Sequence, residues 1–340
     1  MVLHATPEPA PLVRYGLVGP GEHATENLLP ALTLLEGSRL VGVAARSTTS
    51  AAAAARQWRA ARYTDDWAEL ADPAVVDAVL VSATSEVHAR VLRHCLDAGI
   101  HVFAEKPPAP DLAVMRDLAA REAAAPGVVA FVGFNFPYGT SYRLLQDRLR
   151  PHGEVRGIDV SMISAKPLTP DPGHATVLES LLYGLGTHAV DLAVRTLGQP
   201  GSVDAYRMVV DGVRQGVRII LGYPDGRQAT LRVGNYSNRL EYRCELVTDQ
   251  SVVGILDQHN ALQLHRPGDA PGPRLLDRKE TLRYDWPSRR GGYDRTGYRP
   301  ELASFQESIV AGRASTSSLA ACLAVYEVLD QVRHRLVDRD

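Results

Sequence analysis

A glycine-rich run near the N-terminus has the residue types and spacing of a phosphate-binding turn. Residues 19–24 read Gly-Pro-Gly-Glu-His-Ala, which fits GxGxxA, and they follow an apolar strand and open a helical pattern. Glycine at 19 permits a tight turn, and glycine at 21 lets the backbone approach a pyrophosphate at the positive end of the helix. A purely structural turn is the alternative. The residues expected to contact a dinucleotide here are Gly19, Pro20, Gly21, Glu22 and His23.

The end of the second predicted strand carries a basic residue where NAD-binding proteins usually have an acidic one. Residues 44–48 read Ala-Ala-Arg-Ser-Thr and contain no carboxylate to hold the ribose hydroxyls. Arg46 can pair with a 2′-phosphate, and Ser47 can donate a hydrogen bond to it. The sequence therefore favours NADP(H) over NAD(H). The alternative is that Arg46 is merely exposed or stacks on adenine.

Three further motifs, combined with the glycine-rich run, resemble those of a known family. They are the tetrapeptide Glu105-Lys106-Pro107-Pro108, residues 83–88 (Ala-Thr-Ser-Glu-Val-His) and residues 186–191 (Gly-Thr-His-Ala-Val-Asp). Together they resemble the glucose–fructose oxidoreductase, inositol dehydrogenase and MocA-like (Gfo/Idh/MocA) family, over residues 13–336. The resemblance implies an α/β fold: an N-terminal Rossmann domain and a C-terminal α+β domain with an open, mostly antiparallel sheet. It also implies oxidation or reduction of a carbon bearing oxygen, with NAD(H) or NADP(H).

Lys106 is the strongest catalytic candidate. By the resemblance, its ammonium lies near the nicotinamide and the reacting oxygen. A partly desolvated lysine has a lowered pKa and can exchange a proton near neutral pH, and its charge can stabilise a developing alkoxide. Glu105 is expected to position Lys106 or to contact the cofactor. The alternative is a surface lysine before a proline turn.

His188 is the second catalytic candidate, because the family places a histidine facing the substrate at this point. Imidazole can donate to or accept from a substrate hydroxyl at neutral pH. The alternative is a packing histidine capped by Asp191. Many family enzymes carry an aspartate one helical turn earlier, where this chain has Gly184, and Tyr183 is about 100° away around a helix. Lys106 could act with His188 alone, the reaction could differ from simple sugar oxidation, or catalysis could be lost.

The remaining candidates are assigned by the resemblance alone. Ala83, Thr84 and His88 are expected near the cofactor, although His88 could instead make a local hydrogen bond. In Asn135-Phe136-Pro137-Tyr138, many members carry a basic residue after the asparagine, and Tyr138 could line the pocket instead. The candidate substrate-contacting residues are Tyr138, Tyr183 and His188. The other histidines show no metal-ligand spacing, so no metal site is expected.

The pattern of elements fits this division into two domains. Residues 13–134 alternate strand-like and helix-like stretches, which predicts βαβ units and a parallel sheet in a dinucleotide-binding domain. Residues 135–336 contain several strand-like segments in close succession, from 155–162 to 251–256, which predicts an antiparallel sheet in a substrate-binding and oligomerisation domain. A helix is expected over 178–197. Residues 266–299, including Tyr293 and Tyr298, are rich in Pro, Gly and Arg and are expected to form a long loop.

Composition excludes several classes of protein. The 340 residues are 45% hydrophobic and 22% charged with a net charge of −2, which suits a globular protein with no field directed at nucleic acid or a membrane. No apolar run approaches the ~18–20 residues of a bilayer-spanning helix. Cys95, Cys244 and Cys322 lie far apart, so a reducing cytoplasm is the expected location.

The leading prediction is an NAD(P)-dependent oxidoreductase that acts on a hydroxyl, carbonyl or imine carbon of a small molecule such as a sugar or cyclitol. Two alternatives stay open: a cofactor-assisted enzyme without net redox chemistry, and an inactive regulator that senses a dinucleotide or ligand. An exposed sheet face in the second domain predicts a homodimer or homotetramer formed through that sheet.

Overall fold

The structure is a computed structural model that describes residues 12–267, 279–285 and 292–337. Contacts divide the described chain into two units. The first consists of residues 12–108, 117–133 and 298–319, and the second of 109–116, 134–297 and 320–337. The first unit therefore includes residues 298–319, which follow the boundary predicted after residue 134. The second unit includes residues 109–116, which precede that boundary. Which residues serve the cofactor and which the substrate stays a prediction.

The first unit is built on a six-stranded parallel sheet. Its strands are β1 (Val13–Val18), β2 (Ser38–Ala44), β3 (Arg62–Thr64), β4 (Ala78–Val81), β5 (His101–Glu105) and β6 (Ala130–Gly133). The spatial order is β3-β2-β1-β4-β5-β6, and every neighbouring pair is parallel. The chain order reverses between β1 and β4, so the carboxyl ends of these strands form the crevice where such sheets bind ligands. The predicted Rossmann fold is confirmed.

Helices cover this sheet. They are the π-helical turn Ala24–Leu28 continuing into α1 (Leu29–Leu32), α2 (Thr48–Gln57), α3 (Trp67–Leu70), α4 (Ser85–Ala98), part of α5 (Leu112–Ala124), and α10 (Tyr298–Ala311). Local sequence fixes their ends: the Ser47 hydroxyl accepts from the Ser50 amide at 3.2 Å, and Gly99 ends α4 with φ 74°. Phe305 of α10 packs against the stacked rings of Phe103 and Phe131 in the sheet, with ring centroids 5.8 Å from each.

The second unit is built on an eight-stranded sheet. Its strands are β7 (Val155–Ile163), β8 (Ser202–Val209), β9 (Gln215–Gly222), β10 (Gln228–Gly234), β11 (Glu241–Thr248), β12 (Val253–Asp257), β13 (Ala261–Pro267) and β14 (Lys279–Asp285). The order is β14-β13-β12-β11-β7-β10-β9-β8, in which only β7 and β10 pair in parallel. The predicted open, mostly antiparallel sheet is confirmed.

The loop expected over residues 266–299 is wrong in part. Strand β14 pairs antiparallel with β13, with Leu264 opposite Leu282, and α9 (Gly292–Thr296) follows. Tyr298 then begins α10. Proline and glycine mark turns in a sequence, but they do not reveal that the segments on either side of a turn exchange ladder hydrogen bonds. The rest of this segment, residues 268–278 and 286–291, lies outside the described residues.

Besides α9, the helices of the second unit are α6 (Thr140–Leu149), α7 (Val177–Leu181), α8 (Thr187–Leu197) and most of α11 (Leu319–Val337), with short 3₁₀ turns at Phe136–Tyr138 and Arg150–His152. Helix α6 packs on β12 and β13. A π-helical turn, Leu182–Gly186, joins α7 to α8, so the helix predicted over 178–197 is present with a widened turn inside it. Helix α8 packs on β7 and β10. On the other face, Asp159, Arg218, Arg232 and Arg243 are exposed.

Candidate functional site

The turn after β1 has the shape that a dinucleotide phosphate requires. Gly19 adopts φ +87°, and a Cβ there would lie 2.2 Å from the Ser82 carbonyl oxygen, so only glycine fits. The Gly19 amide donates to the Ala44 carbonyl at 2.9 Å, which fixes the turn to the end of β2. Around Gly21 the space is open: no atom lies within 4 Å of a Cβ built there. This open cradle at a helix start fits a pyrophosphate.

An ionisable pair stands beside this turn. Nε2 of His23 lies 3.1 Å from Oε1 of Glu105, the last residue of β5, although the two residues are distant in sequence. The Tyr298 ring packs edge-on against His23, with centroids 5.5 Å apart. Burial lowers the pKa of His23, but the Glu105 carboxylate raises it by more, so the net pKa lies above its ordinary value. The sequence named His23 and Glu105 separately but gave no sign that they meet.

His88 connects two loops at the same edge of the sheet. Its Nε2 accepts from the Ala83 amide at 2.7 Å, so its Nδ1 carries the proton and donates to the Pro107 carbonyl at 2.9 Å. Burial lowers the pKa of His88, which keeps the ring neutral. Both ring nitrogens therefore bond to backbone groups. Nε2 contacts the loop of Ala83 and Thr84 after β4, and Nδ1 contacts the loop after β5. The contact with Ala83 is local, as the alternative supposed, whereas Pro107 lies 19 residues away, and a direct cofactor contact stays a prediction.

Lys106 follows directly on β5 and is half-buried. Its backbone amide donates to Oε2 of Glu105 at 3.3 Å, and its charge acts on both the His23 and the His88 rings, lowering their pKa values. The first unit therefore gathers the glycine turn, His23, Glu105, Lys106 and His88 at the carboxyl edge of its sheet.

The end of β2 leaves an arginine exposed. In the part of the chain that the structure describes, Arg46 makes no ion pair, and it is open to solvent. Ser47 caps α2. Thr48 donates to the Asp65 carboxylate at 2.6 Å. Asp65 is a carboxylate near the expected ribose position that sequence reasoning missed, because it lies beyond α2 and only the pairing of β2 with β3 brings it there.

His188 lies in the second unit within an aromatic cluster. Its ring is 4.6 Å from Phe136, which in turn packs 4.6 Å from Tyr242 and 5.2 Å from His259. Burial, and then the Arg295 guanidinium, lower the pKa of His259 to about 4, so this ring stays neutral. Tyr242 and His259 were not foreseen, since they belong to β11 and to the turn after β12, which no motif marks.

Tyr183 has different neighbours from His188. It stacks on His174 at 5.2 Å and packs 5.5 Å from Tyr326, and burial raises the pKa of Tyr183 to about 12. Tyr138 is half-buried at the end of the 3₁₀ turn. The contact of either tyrosine with substrate stays a prediction.

Two further residues near His188 in sequence are Asp191, which fits the family motif, and Gly184, which departs from it. Asp191 binds Arg195 through both carboxylate oxygens at 2.8 Å. Gly184 lies in the π-helical turn, and no atom outside the backbone of its own helix lies within 4 Å of a Cβ built on it. Crowding therefore does not exclude a Cβ at this position.

Comparison with known proteins agrees with this geometry. Residues 13–134 match the model of the oxidoreductase family with an NAD-binding Rossmann fold, Gfo/Idh/MocA. The chain is 26% identical to inositol 2-dehydrogenase 2 of Paenarthrobacter aurescens (strain TC1) over 317 residues, 88% of this chain and 92% of that protein. It is 28% identical to a dTDP-3,4-didehydro-2,6-dideoxy-alpha-D-glucose 3-reductase of Streptomyces violaceoruber, over 62% of this chain and 63% of that protein.

Solved structures show the same fold. A dehydrogenase from Chromobacterium violaceum superposes with a TM-score of 0.90 at 25% identity, covering 97% of this chain and 96% of that one. A levoglucosan dehydrogenase in complex with NADH and levoglucosan superposes with a TM-score of 0.84 at 18% identity, covering 96% and 98%. The fold and the nucleotide turn define an oxidoreductase that uses a nicotinamide dinucleotide. Residues 13–134 belong to the Gfo/Idh/MocA family, as the motifs predicted, and the whole chain is similar to the dehydrogenases named above.

Among the described residues, no helix is long and apolar enough to cross a membrane. The same residues contain no group of three metal-ligating side chains.

Proposed function

We propose that this enzyme transfers a hydride between a nicotinamide dinucleotide and a carbon bearing a hydroxyl or carbonyl group on a sugar, cyclitol or related metabolite, with imines as a further substrate class. Residues 13–134 bind the dinucleotide and residues 135–336 the substrate. The observation that carries the proposal is Lys106 beside Glu105 at the carboxyl edge of the sheet that also holds the Gly19–Gly21 cradle. The inositol dehydrogenase and the dTDP-sugar reductase among its relatives support a polyhydroxylated substrate.

Lys106 handles the proton in this proposal. When bound, the dinucleotide supplies or accepts the hydride at C4 of its nicotinamide. In oxidation, neutral Nζ of Lys106 takes the hydroxyl proton as the C–H bond of the same carbon breaks and the C=O bond forms. In reduction, Lys106 returns that proton to the oxygen. His188 is the residue proposed to orient the reacting group by a hydrogen bond, and Tyr138 and Tyr183 are proposed to contact the substrate.

We propose NADP(H) as the preferred cofactor. Arg46 is exposed two residues after the end of β2, and Ser47 beside it caps the next helix. The carboxylate of Asp65, just after β3, accepts a hydrogen bond from Thr48. A guanidinium without a competing carboxylate suits a 2′-phosphate.

Fluorescence titration with NADPH and NADH tests the cofactor proposal. We expect Arg46→Ala to weaken NADPH binding about 10- to 100-fold and to leave NADH binding nearly unchanged, because a charge-assisted contact is lost only with the phosphate. Arg56→Ala, which removes an exposed arginine at the end of α2, is the matched control. Equal affinity for NADH and NADPH, unaffected by Arg46→Ala, would overturn the preference for NADP(H).

We further propose that two or four copies associate through the exposed face of the eight-stranded sheet, which carries Asp159, Arg218, Arg232 and Arg243. The three cysteines are free and buried, which supports a reducing, cytoplasmic location.

A further inference from the structure

The pair formed by His23 and Glu105 places a variable charge at the carboxyl edge of the parallel sheet. The two side chains meet at 3.1 Å, and only 7% of the Glu105 side chain is exposed, against 40% for His23. The carboxylate is therefore poorly screened by solvent, while the ring can exchange its proton with water. With neutral His23 the pair has a net charge of −1, and with protonated His23 a net charge of zero.

The position of this pair along the dinucleotide follows from strand order. Arg46 follows β2, and the glycine turn follows β1, next to the point where the strand order reverses. If the 2′-phosphate lies near Arg46 and the pyrophosphate at Gly21, the other nucleotide half extends over the ends of β4 and β5. Glu105 ends β5. The pair thus lies on the nicotinamide side, a step that rests on the proposed dinucleotide site.

The two redox forms of the cofactor differ by one charge at the nicotinamide ring, which is positive when oxidised and neutral when reduced. A nearby group can favour one form only if its interaction differs between them. We propose that His23 and Glu105 set the relative affinity of the enzyme for oxidised and reduced cofactor, through the proton that His23 holds. The anionic pair favours the oxidised form, and the neutral pair loses that preference.

The groups facing His23 determine when this change occurs. They are Glu105 on β5, Lys106 after it, Glu26 on the same helical turn and Tyr298 on α10, with Glu301 close to Tyr298. Burial and Lys106 lower the pKa of His23, whereas Glu105 and Glu26 raise it, and the net pKa lies above 6.5. Burial raises the pKa of Tyr298, so it stays neutral. As pH rises through the pKa of His23, the pair becomes anionic and affinity for the oxidised form increases.

Equilibrium titration with NADP⁺ and with NADPH between pH 6 and pH 9 tests this inference. The ratio of the NADPH Kd to the NADP⁺ Kd should rise about tenfold with pH. This factor corresponds to a pKa of His23 that differs by one unit between the NADP⁺ complex and the NADPH complex. The 2′-phosphate is common to both forms, so its own titration cancels in the ratio. In His23→Gln the ratio should stay at its high-pH value throughout. In Glu105→Gln it should be about tenfold lower at pH 9.

Glu36→Gln is the control variant, because it removes an exposed carboxylate just before β2, at the opposite edge of the same sheet. It should keep the wild-type pH profile. A wild-type ratio that does not change with pH, or one that changes equally in His23→Gln, would overturn this inference alone, since both cofactors would still bind. Wild-type protein that binds neither cofactor would overturn the proposed dinucleotide site as well.

Discussion

At the level of single residues, the chemistry proposed for this enzyme depends on Lys106. The lysine is half-buried, its backbone is tied to Glu105, and its charge acts on two histidine rings. A surface lysine before a proline turn would have few such neighbours. This environment favours a group that exchanges a proton with substrate over a solvated side chain.

Replacing Lys106 by methionine keeps most of its bulk and removes the amine. We expect kcat to fall about 10²- to 10⁴-fold, the usual contribution of a general acid or base, while the Kd for NADPH changes little. Single-turnover measurement of the NADPH absorbance reports the hydride step directly. Lys166→Met is the matched control, since Lys166 also precedes a proline but is exposed. A Lys106→Met enzyme with wild-type kcat would remove the lysine from the mechanism.

At the level of elements, the turn from β1 into the first helix contains two glycines whose surroundings differ. Gly19 is required by the fold, because it has a positive φ and no room for a Cβ. The surroundings of Gly21 are open, so packing does not require glycine there, and its proposed role is toward the dinucleotide.

Alanine at position 19 should therefore reduce stability, whereas alanine at position 21 should weaken cofactor binding. Gly19→Ala should lower the free energy of unfolding by at least about 1–3 kcal/mol, since it adds backbone strain and a clash with the Ser82 carbonyl. Gly21→Ala should leave stability unchanged or slightly higher and weaken NADPH binding about tenfold or more, since its methyl group occupies the space for the phosphate. Urea denaturation and NADPH titration of both variants measure this. A stable, tightly binding Gly21→Ala protein would contradict the proposed cradle.

The same turn shows how far the sequence could be interpreted. Alternating periods and the GxGxxA spacing are local, so they predicted the parallel sheet and the turn after its first strand. Contacts between distant segments left no local pattern. The pairing of His23 with Glu105, the approach of Asp65 to Thr48 and the packing of His259 on Phe136 all depend on strand order. Strand β14 was missed for the same reason, because its partner β13 lies across a proline- and glycine-rich segment.

The π-helical turn before α8 is a further feature that periodicity could not show. The sequence predicted one helix over 178–197, and the weak helix formers Gly184 and Gly186 were its only irregularity. Such widened turns often occur at functional sites. Because a Cβ at 184 meets no atom outside the backbone of its own helix, packing in the described chain does not require glycine at this position.

At the level of the whole molecule, the exposed face of the eight-stranded sheet is the surface proposed for self-association. A cross-strand row on this face aligns Ser161 with Arg232 and Arg243, and Arg232 with Arg218. Arg232 also lies 3.1 Å from Glu241. Both signs of charge therefore occur together, as a self-complementary contact between identical copies requires.

Reversing one charge in this row should separate the copies. Arg232→Glu places a second carboxylate beside that of Glu241. Two like charges side by side cost free energy of association once a partner copy excludes water. We expect light scattering on a sizing column to give a lower mass for this variant than for wild type, with the helical circular dichroism unchanged. Arg56→Glu, on α2 of the other unit, should keep the wild-type mass. If both variants keep it, the copies associate through another surface, and the sheet face needs a different role.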